Sequence, residues 1–402
     1  MSFELIKDIL IATVPLLVIF PSLFAFTTWV ERKALARIQN RIGPNKVGIP
    51  CTRISLFGLG QPLADGIKML FKEDIVPRGA DRLFHLLAPI LALIPAMVVL
   101  CFLPLEFPFW NNNIKAMKAF AMDGAVIFFF AITGLGTLAV FMAGWASRNK
   151  YSLLGGMRAI AQMVSYEIPL VLSAVVVVMM VGSLSATDIV REQEYLWFVL
   201  TPWGFAAFVI FFIGALAETN RSPFDLPEAE SEIIAGYFTE YSGFKFALFF
   251  LGEYIAIFAI SGLAVTLFLG GGAGPGVAAL PWLSVVWFLV KIFTLIAVMI
   301  WLRGTLPRLR VDQLMGFAWK FLLPLSILNI FIAGAALHLV AGERLADLDQ
   351  KQPILRQLME GANPLVVAGL WIGALLILYV AAKGLNQLNR AKVRPREYKY
   401  AE

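Results

Sequence analysis

Read as a pattern of apolar and polar positions, the chain breaks into nine apolar runs long enough to cross a bilayer. They lie at about 9–30, 84–104, 123–145, 158–183, 195–217, 244–269, 281–302, 317–340 and 364–383, each near the ~20 residues that a hydrocarbon layer requires. Short polar connections separate them. The stretch 53–73 behaves differently: Leu56, Leu59, Leu63, Ile67 and Leu70 recur at helical spacing, with Asp65, Lys68 and Lys72 elsewhere on the wheel. That spacing predicts an amphipathic helix lying along the membrane surface. It is either a lipid anchor or the floor of a slot through which a lipid-soluble molecule enters from the bilayer. The pattern predicts an all-α polytopic membrane protein with no separate soluble domain. Two units follow: a core of eight transmembrane helices over 1–340, and an extension over 341–402 with a ninth span and a basic tail.

Composition agrees with this. Of 402 residues, 59% are hydrophobic and only 15% charged, against roughly 25% charged in soluble domains; the mean hydropathy is +0.79. The formal net charge of +6 matters less than its distribution, since 24 Lys and Arg fall in one set of connections and 7 in the other. The positive-inside rule then predicts an outside N-terminus and a cytoplasmic (or matrix-side) C-terminus. Glu4, Lys7 and Asp8 precede a run continuing to Val30, which is not the pattern of a cleavable signal. Cys51 and Cys101 lie far apart, and the two histidines are His85 and His338. Such a set predicts no cysteine-ligated cluster, zinc site or haem pair built by this chain alone. The run GGGAGPG at 270–276 follows no strand and opens no phosphate-binding pattern, and reads as a linker.

Candidate chemistry concentrates in Ala217–Ser242, AETNRSPFDLPEAESEIIAGYFTEYS, which sets six carboxylates against one cation, Arg221. The acids alternate with Phe224, Leu226, Ile233, Ile234 and Phe238. The segment is either folded into a partly dry place, where carboxyl pKa values shift, or a solvated amphipathic connector. Asp225 reads as an N-cap, with Pro227 in the first turn and Glu228 as capping-box partner. Glu228 and Glu232 share a helix face, and like charges this close do not all ionise cheaply away from water. Three charges fall inside spans: Glu167, Glu253 and Lys291. Such residues cost on the order of 2.5–3.5 kcal/mol each unless they face a partner or water. One reading is a Glu253–Lys291 pair locking two helices. The other is a hydrated proton path, which Glu167 favours because it has no obvious cation. Asp123 reads as the cap of the third span. Arg303, Arg308 and Arg310 either anchor at the interface or face the acidic segment, and the tail KVRPREYKYAE suits lipid head groups or a neighbouring subunit.

Five stretches then carry a resemblance: ERKALARIQNRIGPNKVG, QPLADGIKMLFKE, GWASRNKYSLLGGMRAIAQMVSYEIPL, AETNRSPFDLPEAESEIIAGYFTEYSG and RGTLPRLRVDQLM. In collinear order over roughly 10–340, the chain resembles the quinone-tunnel membrane subunit of proton-pumping NADH:quinone oxidoreductase, respiratory complex I (the H subunit in bacteria, subunit 1 in mitochondria). The resemblance implies a place at the heel of that complex. There the subunit forms the tunnel and chamber for a quinone, its substrate, and couples quinone reduction to proton translocation. It implies quinone-binding positions at Arg32, Asp65, Arg221 and Phe224, and a proton path through Glu167, Glu218, Glu228, Glu230, Glu240, Glu253 and Lys291. It implies an antiporter-like half across spans 2–6, and no redox centre or catalytic residue in this chain. Flavin mononucleotide and iron–sulfur clusters are expected in partner subunits, among them the peripheral-arm quinone-site and iron–sulfur subunits. Neighbouring small membrane subunits and membrane lipids are further expected partners, with no nucleic acid. The expected membrane is the bacterial cytoplasmic one, with the mitochondrial inner membrane as alternative. The anchor protein of a membrane-bound hydrogenase and a stand-alone cation/proton antiporter are the competing readings; the intact ETNRSPFDLPEAE form argues for the quinone enzyme.

Overall fold

The computed structural model describes residues 22–48, 55, 57–100, 102–103, 123–194, 196–226, 235–277, 280, 282–341 and 364–390. Every regular element among them is helical. In chain order they are α1 (22–38), α2 (Gln61–Phe71), α3 (Arg82–Leu100), α4 (Ala125–Ala146), α5 (Lys150–Val181), α6 (Ala186–Glu192), α7 (Pro202–Glu218), α8 (Gly243–Phe268), α9 (Leu283–Thr305), α10 (Val311–Phe317), α11 (Leu323–Ala341) and α12 (Pro364–Arg390). A π turn at Ala318–Leu322 joins α10 to α11 without a break.

Six of the described helical stretches are long and apolar enough to cross a membrane: α3, α4, α5, α8, α9 and Val311–His338. The fifth expected span is shorter than its apolar run, because Thr201 caps it by accepting from the Gly204 N–H and Pro202 occupies the first turn. The first span is described only from residue 22, and α12 covers the ninth. Two local expectations are corrected. Gly124, not Asp123, stands at the N-cap of α4, with no side-chain cap. The surface helix begins at Gln61, where Pro62 fits the first turn, rather than at 53. None of its residues is buried, as befits a helix lying against the outside of a bundle.

The packing order gives the molecule its shape. α3 contacts α4, α4 contacts α5, α5 contacts α7, α7 contacts α8, and α8 returns to α3, so five helices close into a ring. α9 lies on α8, α11 on α5 and α7, and α12 on α7 and α11. Trp371, Ala374 and Leu378 form the packed stripe of α12, with Ile372, Leu375 and Leu376 turned outward. At ~1.5 Å per residue, the 32 residues of α5 reach about 48 Å, beyond the ~30 Å hydrocarbon layer. Its first turns, capped by Asn149, therefore project at one end of the bundle and meet the acidic segment there. The other end carries the glycine run.

Candidate functional site

The ring encloses a cavity of about 80 Å³, lined from α3 by Pro95 and Ala96, from α4 by Thr133 and Gly136, from α7 by Glu218 and from α8 by Gly252 and Glu253. Several water molecules fit such a volume if polar groups hold them. Those groups are present. Glu218 is the last residue of α7, and its Oε2 is buried with no protein partner. Glu253 Oε1 accepts from the Tyr237 hydroxyl at 3.0 Å. Glu167 reaches toward the same space from α5: a Cβ on Gly134 would stand 3.5 Å from its Oε1. It also lies close enough for its charge to act on Glu218. Glu218 and Glu253 thus line one cavity, and Glu167 of α5 lies beside it. Lys291 does not join them. Its ammonium donates to the carbonyls of Leu269, Gly271 and Ala273, so of the two readings the Glu253–Lys291 pair is not formed.

Both described ends of the acidic segment are folded inward, which answers the choice between dry and solvated in favour of the first for 219–226 and 235–242. Gln162 of α5 gives its amide N–H groups to the Ala217 and Phe224 carbonyls at 2.9 and 2.7 Å, pinning the chain as it leaves α7. The Asp225 carboxylate accepts from Arg308 Nη2 at 2.8 Å, and the helix start it was expected to cap lies outside the described residues. Glu228, Glu230 and the rest of the expected capping box lie outside the described residues. Farther on, Tyr237, Phe238 and Tyr241 sink into an apolar cluster with Phe249. The close approach needs glycine, since a Cβ on Gly155 would meet Gly236 Cα at 2.6 Å. His85 stacks on Tyr241 at 4.1 Å, and burial pushes the Tyr241 phenol up from its ordinary value. Glu240 accepts from Asn149 Nδ2 at 2.6 Å, which joins the segment to the start of α5.

A second charge centre sits beside the cavity. Glu31 of α1 is 5% exposed and accepts from Arg221 Nη1 at 2.9 Å, from Arg303 Nη1, and from the Tyr254 hydroxyl at 2.7 Å. The Arg221 guanidinium also lies 4.1 Å over the Tyr254 ring. Burial works to lower the Arg221 pKa, but Glu31, Tyr254 and Glu253 together more than offset it and hold it above the ordinary arginine value. A smaller cavity of about 20 Å³ opens here between α1, α8 and α9. Arg32, one residue on, points the other way and meets Asp65 of α2 at 2.5 Å, clasping the surface helix to α1. Phe224 is turned inward, 4% exposed, with its ring 5.2 Å from Tyr166.

Of the expected site residues, the structure therefore gathers Glu167, Glu218 and Glu253, connects Glu240 to α5, and sets Arg221 and the Arg32–Asp65 pair on the α1 side. Sequence reasoning missed Glu31, Tyr254, Tyr237 and Gln162. Glu31 opens the basic run ERK and reads there as one more loop charge; its partners stand 190 and 272 residues away.

A family model described as NADH dehydrogenase matches residues 11–334. The chain is 49% identical over 312 residues to the NADH-quinone oxidoreductase H subunit of Geobacillus kaustophilus, covering 77% of this chain and 88% of the relative. The chain belongs to the family of NADH-quinone oxidoreductase H subunits. The NADH-quinone oxidoreductase H subunit 2 of Syntrophobacter fumaroxidans is 49% identical over 313 residues, covering 77% and 90%. The H subunit of Thermomicrobium roseum is 46% identical over 338 residues, covering 79% and 93%. As a member of the H-subunit family, this chain is a membrane component of complex I whose partners are other subunits of that complex. The matched 11–334 takes in α1 to α10 and most of α11; α12 falls beyond it.

Proposed function

We propose that this chain forms the tunnel and chamber in which the complex reduces a quinone, and that its buried acids couple that reduction to proton translocation. The observation that carries the reading is the water-sized cavity inside the five-helix ring, with Glu218 and Glu253 in its wall and Glu167 beside it. Quinone reduction consumes two electrons and two protons, so charge appears transiently in a site of low dielectric. Carboxyls that interact with one another respond by moving protons rather than by ionising independently. A chain of groups including Glu240, which meets Asn149 ahead of α5, and Glu218, Tyr237 and Glu253 then carries the change into the membrane; the resemblance adds Glu228 and Glu230, which lie outside the described residues. The resemblance put Lys291 on this path as well; its three carbonyl partners support a different role.

On the quinone side, the clasp of Arg32 with Asp65 fixes α2 at the mouth of the tunnel. Arg221, held by Glu31, supplies the cation near the chamber, and Phe224 supports the Arg221 turn from beneath. Flavin and iron–sulfur clusters in the peripheral-arm subunits supply the electrons. Proton pumping across a bacterial cytoplasmic membrane, with the basic end of the bundle inside, completes the assignment. The test is the purified complex in lipid vesicles carrying Glu218→Gln. Quinone reduction and proton translocation should fall together, while electron transfer from NADH to an artificial acceptor upstream of the quinone is unchanged. Unaltered rate and stoichiometry of pumping would remove Glu218 from the path.

A further inference from the structure

The glycine run at the far end of the bundle is more than a connector. Leu269 closes α8 as its C-cap, and the chain then turns back through Gly270 and Gly271, both in the left-handed region at φ +70° and +54°. This turn aims three carbonyls at one point. Lys291, nine residues into α9 and 8% exposed, fills that point: its Nζ lies 2.6 Å from the Leu269 oxygen, 2.9 Å from Gly271 and 2.7 Å from Ala273. The Trp197 ring covers it at 4.4 Å. The first of those oxygens belongs to the C-terminus of α8, the negative end of its dipole. Among the described residues no carboxylate pairs with Lys291.

The chemistry of this set is one-sided. An ammonium has three N–H groups and each finds an acceptor, whereas a neutral amine would turn its lone pair onto a carbonyl oxygen. A relay must release and regain its proton; this cradle favours the protonated form, since a neutral amine keeps only two N–H groups for three carbonyls. The loop is in turn held from outside. Gln193 accepts from the Gly270 N–H at 2.9 Å and donates to the Thr266 carbonyl at 2.8 Å, and Trp287 Nε1 donates to the Pro275 carbonyl at 3.1 Å. Gly272 passes so near α9 that a Cβ there would stand 2.1 Å from Ser284 Oγ.

We infer that residues 269–273 form a three-carbonyl binding site for a primary ammonium, that Lys291 is its resident cation, and that this positioning residue locks the glycine run over the end of α8 and α9 instead of relaying protons. The site goes beyond the quinone and proton reading and does not depend on it.

The experiment uses the assembled, purified complex with Cys51 and Cys101 replaced by serine and Ala273→Cys as a reporter. Labelling of that cysteine by a polar maleimide should be slow with Lys291 in place. In Lys291→Ala it should rise about tenfold or more, since three hydrogen bonds to a charged group are lost. Added propylammonium, the missing part of the side chain, should slow it again. Tetramethylammonium, equal in charge but without N–H groups, should not. Lys291→Arg should stay fast, because a planar guanidinium does not converge on three carbonyls, yet leave the pH profile of quinone reduction where it was. Unchanged labelling in Lys291→Ala, equal rescue by the two cations, or a shifted pH profile in Lys291→Arg would each overturn the inference. If Lys291→Ala does not assemble, Gly272→Ala displaces the loop with Lys291 present. It should label fast without rescue by propylammonium, and slow labelling there would count against the lock. Glu218→Gln leaves labelling slow whether or not it abolishes pumping, so the two proposals fail separately.

Discussion

At the glycine-run end of the bundle, Lys291 gives every N–H of its ammonium to a backbone carbonyl. At the acidic end, Glu218 keeps one oxygen without a protein partner, and Glu253 accepts from a tyrosine beside a cavity that admits water. Both places hold charge at membrane depth, where an unpartnered ion costs several kcal/mol. They meet that cost differently. A cradle of fixed dipoles stabilises one protonation state, and therefore makes a lock. A cavity with room for water leaves both states of a carboxyl accessible, which is what the proton movement proposed above requires. Glu31 shows that satisfaction, not location, decides the matter: it lies on the acidic side, yet two arginines and a tyrosine saturate it.

That third case gives the largest expected effect. Glu31→Ala leaves Arg221 and Arg303 facing each other with no anion between them. Removing one member of a buried pair costs about 3–5 kcal/mol. The complex should fail to assemble on a native gel or melt well below wild type; normal assembly and melting would mean that the Glu31 cluster does not hold α1, α9 and the Arg221 turn together. Glu218→Gln should sharpen the comparison from the other side. The amide fits the cavity and has water to bond, so the melting temperature should barely change while pumping is lost. A destabilised but still pumping variant would reverse the assignment of the two roles. Next in size is Tyr237→Phe, which deletes the donor to Glu253. A bond of this kind contributes about 1 kcal/mol, and turnover should drop severalfold with the assembled fraction intact. Unchanged turnover would detach Tyr237 from the acids. The smallest effect belongs to the exposed clasp. Arg32→Ala and Asp65→Ala, compared by a double-mutant cycle on thermal stability, should show a coupling below about 1 kcal/mol, because solvent screens the pair. A larger value would make α2 part of the stable core rather than a surface element.

The spans and the surface helix were legible because the cost of placing backbone and side chains in hydrocarbon arises residue by residue, so hydropathy records it locally. Glu167, Glu253 and Lys291 stood out for the same reason, as charges inside apolar runs, and Glu218 as the first acid of the acidic segment. What each one touches was not legible. Glu253 with Lys291 was a reasonable pair on span spacing alone, but the chain turns at Gly270 and Gly271 and offers Lys291 carbonyls, which carry no signature in side-chain identity. Asp225 matched a helix cap, yet Arg308, 83 residues later, claims it.

The sequence by itself determined that this is a helical membrane protein and which charges are costly enough to need a reason. Five long motifs were sufficient to place it among the H subunits of complex I. Only the tertiary structure decided which partners those charges meet. Hydrophobic burial is summed along the chain, whereas a hydrogen bond or ion pair exists only where distant segments bring donor and acceptor within about 3 Å.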